Sequence, residues 1–140
     1  MSHAVRKIAW FRLAALILAL LALGATGFLG VHNVFNEWSE AVTPLQKSVT
    51  VGGGLYGILG MITAIGLILR KSWAVRSAIA WAIVLTYTGS AANPAYAEME
   101  NLLIPTLSAF ALCAVVASLV VWLTKVGSRQ IVSYHETSGK

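Results

Sequence analysis

The side chains able to transfer protons or hold a metal are few in this sequence. Its three histidines are His3, His32 and His135, its five acidic residues are all glutamates, and aspartate is absent. One group draws together in the pattern of the chain: His32, Glu37, Glu40, Glu98 and Glu100 all fall between hydrophobic runs on what is read below as the outer side. Glu37 and Glu40 are spaced i, i+3 and share a helical face, so with His32 they offer two carboxylates and an imidazole to a divalent cation. The same residues also read as a solvated acidic surface. His3 and His135 belong to the opposite side, so the three histidines cannot converge on one metal. No cofactor motif is present. Gly52, Gly53 and Gly54 lack the Lys-Ser/Thr that a phosphate loop needs, and no paired aspartates exist for metal-dependent phosphotransfer.

A second polar group lies inside the hydrophobic runs. Thr26, Tyr56, Thr86, Tyr87 and Thr88 fall at comparable depth if the runs are membrane spans. Two phenols and three hydroxyls in apolar walls suit a lipid or quinone-like molecule, held by a few polar anchors. Hydrogen bonds between helices would use the same residues. No run contains a carboxylate or a histidine, which argues against a proton-coupled exporter built on a membrane-embedded acid. The expectation is a protein that is not an enzyme.

The elements that must position these residues follow from composition. Hydrophobic residues make up 58% of the 140 and charged ones only 11%, against about a quarter charged in ordinary globular chains. A bilayer core of about 30 Å needs about 20 apolar residues in a helix, because backbone groups in lipid must bond within their own segment. Four stretches qualify: 13–31, 49–69, 74–92 and 102–123. The fold class is therefore all-α, a four-helix transmembrane bundle forming one domain over 1–125, with 126–140 as a flexible cytoplasmic tail.

Basic residues give the orientation, since lysine and arginine stay on the cytoplasmic side during insertion. Arg6, Lys7 and Arg12 precede the first run, Arg70, Lys71 and Arg76 join the second to the third, and Lys125, Arg129 and Lys140 follow the fourth; only Lys47 lies opposite. Both termini are read as cytoplasmic, in the inner (plasma) membrane of a bacterium. Trp10, Trp73 and Trp122 mark the inner boundary, and Trp38 and Tyr96 the outer one. The +5 net charge is explained by this asymmetry, so no nucleic-acid partner is implied. Arg6-Lys7-x4-Arg12 recurs as Arg70-Lys71-x4-Arg76, a spacing that charge rules alone can produce.

In the first outer connection, read as 32–48, Val34, Phe35, Trp38 and Val42 recur near helical spacing, which predicts a short interfacial helix. Small residues supply the packing logic, because helices in lipid attract mainly through close contact. Gly53-x3-Gly57 and Gly60-x3-Ala64 mark one such face, and Ala114-x3-Ser118 another. These faces bring the four helices together or meet a second membrane protein or another copy. The functional reading that follows is a non-enzymatic accessory or scaffold component surrounded by membrane lipids. The alternative is binding or transport of a lipophilic molecule in the outer leaflet.

Overall fold

A computed structural model describes residues 3–97 and 101–128. Four helices account for nearly all of them: α1 (His3–Glu37), α2 (Pro44–Ile68), α3 (Ala74–Tyr96) and α4 (Leu103–Ser128). Each packs against two neighbours, α1 on α2, α2 on α3, α3 on α4 and α4 back on α1, which closes an up-down-up-down bundle. α1, α2 and α4 are long and apolar enough to cross a membrane. α3 is less apolar, because Ser77, Thr86, Tyr87, Thr88, Ser90 and Asn93 interrupt it.

Around the bundle, large apolar side chains such as Leu21, Phe28, Ile58, Ile83, Leu112 and Val115 are exposed. A water-soluble protein does not leave a continuous apolar belt of this kind uncovered. The polar boundaries agree with a lipid environment: Trp10, Trp38, Trp73 and Trp122 are all exposed, as aromatic residues at headgroup level are. Phe11 meets Trp122 edge to face at 6.2 Å, tying the start of α1 to the end of α4.

The expected interfacial helix does not exist as a separate element. α1 continues without a break through His32, Val34 and Phe35 to Glu37, leaving a connection of only 38–43. The physical reason lies in the sequence after Gly30, where neither glycine nor proline interrupts the run before Pro44. Val34 and Phe35 belong to α1, whereas Trp38 and Val42 lie in the connection that follows it. Likewise α4 runs to Ser128, three residues into the stretch read as tail; 129–140 lie outside the described residues.

α2 begins where it must. Thr43 is extended and accepts a hydrogen bond from Gln46 N, the Gln46 side chain returns the bond to Thr43 N, and Pro44 takes a first-turn position that needs no N–H donor. Gln46 Nε2 also donates to the Ala95 carbonyl at 3.1 Å, fastening this cap to the end of α3. α2 ends by reversal, with Lys71 N donating to Gly66 O at 2.8 Å and Arg70 held at φ 57°. That position is usually glycine. Here it carries an arginine.

The helices approach closest where α1 meets α2. A Cβ on Gly57 would lie 2.8 Å from Val31 N and 2.9 Å from Gly27 O, and one on Gly30 would lie 2.5 Å from Gly53 O. Gly60 faces Leu23 O on α1 and the Trp81 ring on α3. Gly53 is less crowded, its nearest contact being Gly30 O at 3.8 Å, and Ala64 packs half-buried against the core. Trp81 is fully buried among Ala19, Leu23, Leu67, Ala74, Ala117 and Val120. Toward the turn between α2 and α3, the hydroxyls of Thr63 and Ser77 lie 2.7 Å apart.

Candidate functional site

Two cavities organise the polar residues of the spans, and they lie on different faces of α3. The larger, about 640 Å³, is a groove between α3 and α4 that opens sideways from the bundle. Ile79, Ile83 and Tyr87 form one wall, Phe110 and Val121 stand on the other, and Ala82, Ala114 and Ala117 keep the floor low. Thr86, Ser90 and Ser118 are its other polar members. On α3 it extends from Ile79 to Ser90, roughly 17 Å at 1.5 Å per residue. The antiparallel pairing that creates it is fixed by Cys113 packing against Gly89 and by Asn93 Nδ2 donating to Pro105 O at 3.0 Å.

The hydroxyls differ in what they can still offer. Thr86 donates to Ala82 O at 2.8 Å and Ser90 to Tyr87 O at 2.9 Å. Their protons are committed to the helix, leaving lone pairs. Tyr87 is 53% exposed, and its hydroxyl has only a long 3.4 Å contact to Ser48 Oγ. With Ser118, it is a lining group able to donate to a carbonyl or ester oxygen in the groove.

The smaller cavity, about 250 Å³, lies between α1, α2 and α3 at the end near the 38–43 connection, and is called the outer cavity after the expected orientation. Asn33 and Glu37 come from α1, Thr50 and Tyr56 from α2, and Thr88 and Tyr96 from α3. Gly52 lets α2 come close to α3 at this level, since a Cβ there would collide with the Thr88 hydroxyl.

The five residues expected to share one lipophile pocket are therefore divided. Thr86 and Tyr87 line the groove, Tyr56 and Thr88 line the outer cavity, and Thr26 lines neither. Thr26 instead bonds back to Ala22 O at 2.7 Å within its own helix. Tyr56 and Tyr87 differ in direction: the Tyr87 hydroxyl reaches Ser48 on α2, whereas Tyr56 lines the second cavity beside Leu85, Thr88 and Gly89.

The outer acidic group is likewise not one site among the described residues. His32 stacks on Phe28 at 5.9 Å, and its Nε2 lies 3.1 Å from Asn36 Nδ2. Glu37 follows by five residues, about 140° around the helix, and turns toward the outer cavity. Glu40 is exposed, while Glu98 and Glu100 lie outside the described residues. No three His, Cys, Asp or Glu side chains among the described residues gather as metal ligands.

Sequence reasoning missed the groove walls Ile79, Ile83, Phe110 and Val121 and the buried Trp81. The Ala114-x3-Ser118 stripe was the one available signal for the groove, and both of its residues line it. No protein-family model matches the chain, and comparison with curated proteins and with solved structures returns no significant match.

Proposed function

We propose that this protein binds a lipophilic molecule in the groove between α3 and α4, as a four-span protein of a bacterial inner membrane with both termini cytoplasmic. The observation that carries the reading is the groove itself: about 640 Å³, within the roughly 300–1,000 Å³ typical of small-molecule sites. Its walls are mostly aliphatic, and it opens toward the side where the belt of exposed apolar residues meets lipid. A chain or ring system enters from the bilayer without crossing water. Tyr87 supplies a hydrogen-bond donor near the outer end, and Ser118 stands deeper. Without a carboxylate or histidine in the lining, the groove holds its occupant and leaves it chemically unchanged.

α3 completes the span count in this reading. Its 23 residues reach about 34 Å at 1.5 Å per residue, enough for a bilayer core of about 30 Å. It packs between two helices apolar enough to span, with Thr86, Thr88 and Ser90 bonding to their own helix and Ser77, Tyr87 and Tyr96 meeting hydroxyls of α2. Reporter fusions test the arrangement: cytoplasmic signals are expected at the N-terminus, at Ser72 and at the C-terminus, with an external signal at Ser39. An external C-terminal signal would show that α3 or another helix does not cross.

The groove's occupant is tested by extracting the chain purified in mild detergent and analysing it by mass spectrometry. Wild type should carry a lipophile. Tyr87→Phe should lose about 0.5–1.5 kcal/mol of affinity, the worth of one neutral hydrogen bond, while Tyr56→Phe retains it. An accessory role is a second reading, because the low floor at Ala82, Ala114 and Ser118 also admits a partner helix. A stoichiometric partner protein in place of the lipophile would favour it.

A further inference from the structure

We infer that the outer cavity between α1, α2 and α3 binds an alkylammonium group, at a site separate from the α3–α4 groove. The argument is one of unmatched acceptors. Thr50 donates its hydroxyl proton to Gln46 O at 3.1 Å and Thr88 donates its own to Val84 O at 2.8 Å. Both therefore present lone pairs to the cavity. Glu37 adds a carboxylate at the wall, and Tyr56 and Tyr96 add phenol oxygens and aromatic rings. Asn33 and the Tyr56 hydroxyl are the lining groups whose protons, among the described residues, are neither shared with another hydroxyl nor committed to a backbone carbonyl.

No basic residue lines the cavity. Lys47 is the only one between Arg12 and Arg70, and it is exposed outside the lining. The cavity is thus rich in acceptors and aromatic faces, carries one negative charge, and contains no internal cation to balance it. A cation bearing methyl or methylene groups meets all three conditions. Its charge pairs with Glu37, its carbons pack on the rings, and the ring quadrupoles attract it further where water is partly excluded.

A metal ion fits less well. Calcium and magnesium require several oxygen ligands at 2.0–2.6 Å, and a single carboxylate in about 250 Å³ leaves most of that shell to water. The volume suits a group of the size of choline or ethanolamine. Such a group reaches the site either as a free amine from the outer solution or as the headgroup of an aminolipid.

The test uses the full chain in nonionic detergent, with tetramethylammonium and choline titrated by calorimetry. Wild type should bind. Glu37→Gln keeps the shape and removes the charge, and should weaken binding by about ten- to a hundredfold, as for a contact to a charged group. Tyr96→Leu, at a partly exposed position, should weaken it less. Glu40→Gln, outside the lining, should leave it unchanged. In a parallel arm the chain is reconstituted with phosphatidylethanolamine, and lipid retained through delipidation is counted by native mass spectrometry. Retention that depends on Glu37 without binding of the soluble amines identifies the headgroup as the source and supports the site. Binding in neither arm, or binding that Glu37→Gln leaves intact, overturns the proposal.

Discussion

Replacing Trp81 with alanine should cost about 3 kcal/mol of bundle stability, near the lower end of the range for truncating a large buried aromatic side chain. The indole is fully buried, with Gly60 of α2 and residues from the other helices around it. Its removal empties the middle of the core. The value lies near the low end because transfer from lipid contributes less than transfer from water, so lost packing contacts dominate. Trp81→Phe provides the contrast. Trp81 Nε1 has no hydrogen-bond partner among the described residues, so phenylalanine removes an unmatched donor together with some volume, and the two effects oppose. Thermal unfolding in detergent should place Trp81→Phe much closer to wild type than to Trp81→Ala. Equal losses would mean that the indole N–H is bonded after all.

Gly57→Ala should destabilise the chain by about 1–3 kcal/mol, the usual cost of overpacking, although it adds a single methyl. All three nearest atoms to that methyl are backbone, namely Val31 N, Gly27 O and the Gly30 carbonyl carbon, within 3.1 Å. None can rotate away. α1 and α2 must separate along the whole seam, and their mutual attraction in lipid depends on that proximity. Gly53→Ala, one turn earlier, should be nearly neutral because its Cβ would find ordinary contact at 3.8 Å. Gly66→Ala should fall between them, since the Trp73 ring that it would strike at 2.7 Å belongs to a partly exposed side chain able to swing aside. Membrane accumulation and unfolding temperature measure the series, and equal tolerance at positions 53 and 57 would contradict the seam.

α1, α2 and α4 were legible from the sequence because each contains an apolar run of spanning length, although α2 begins at Pro44, five residues before the run read from 49. Their ends were less so. The hydropathic boundary near Val31 marks where an apolar run stops, but a helix need not stop with it, and α1 continues to Glu37. The grouping of Thr26, Tyr56, Thr86, Tyr87 and Thr88 is divided between two cavities and a third position for a different reason. Depth follows from counting residues, whereas the direction of a side chain around its helix follows from an apolar stripe. A helix apolar on all sides has no such stripe. Tyr56 and Tyr87 were accordingly assigned to one pocket when α3 stands between their cavities. Trp81 was invisible on the same grounds, since its position in the run says nothing about whether it faces lipid or the bundle axis.

The small residues were more informative than the polar ones. Gly57 and Gly60 lie in helix contacts too close for a side chain, while Ala114 and Ser118 line the groove, where low side chains leave space between α3 and α4. One physical property, a side chain of little volume, gives close approach at one face and an opening at another. Sequence spacing does not distinguish the two.

The most direct test of lipophile binding is to fill that opening. Ala114→Phe places a ring on the groove floor, at a half-buried position whose surroundings are open toward lipid, so the fold should survive with an unchanged elution volume and unfolding temperature. Lipophile recovered by mass spectrometry from the purified wild type should fall severalfold in Ala114→Phe. A wild type that carries nothing beyond detergent, or a folded Ala114→Phe that retains the full complement, would contradict binding in the α3–α4 groove.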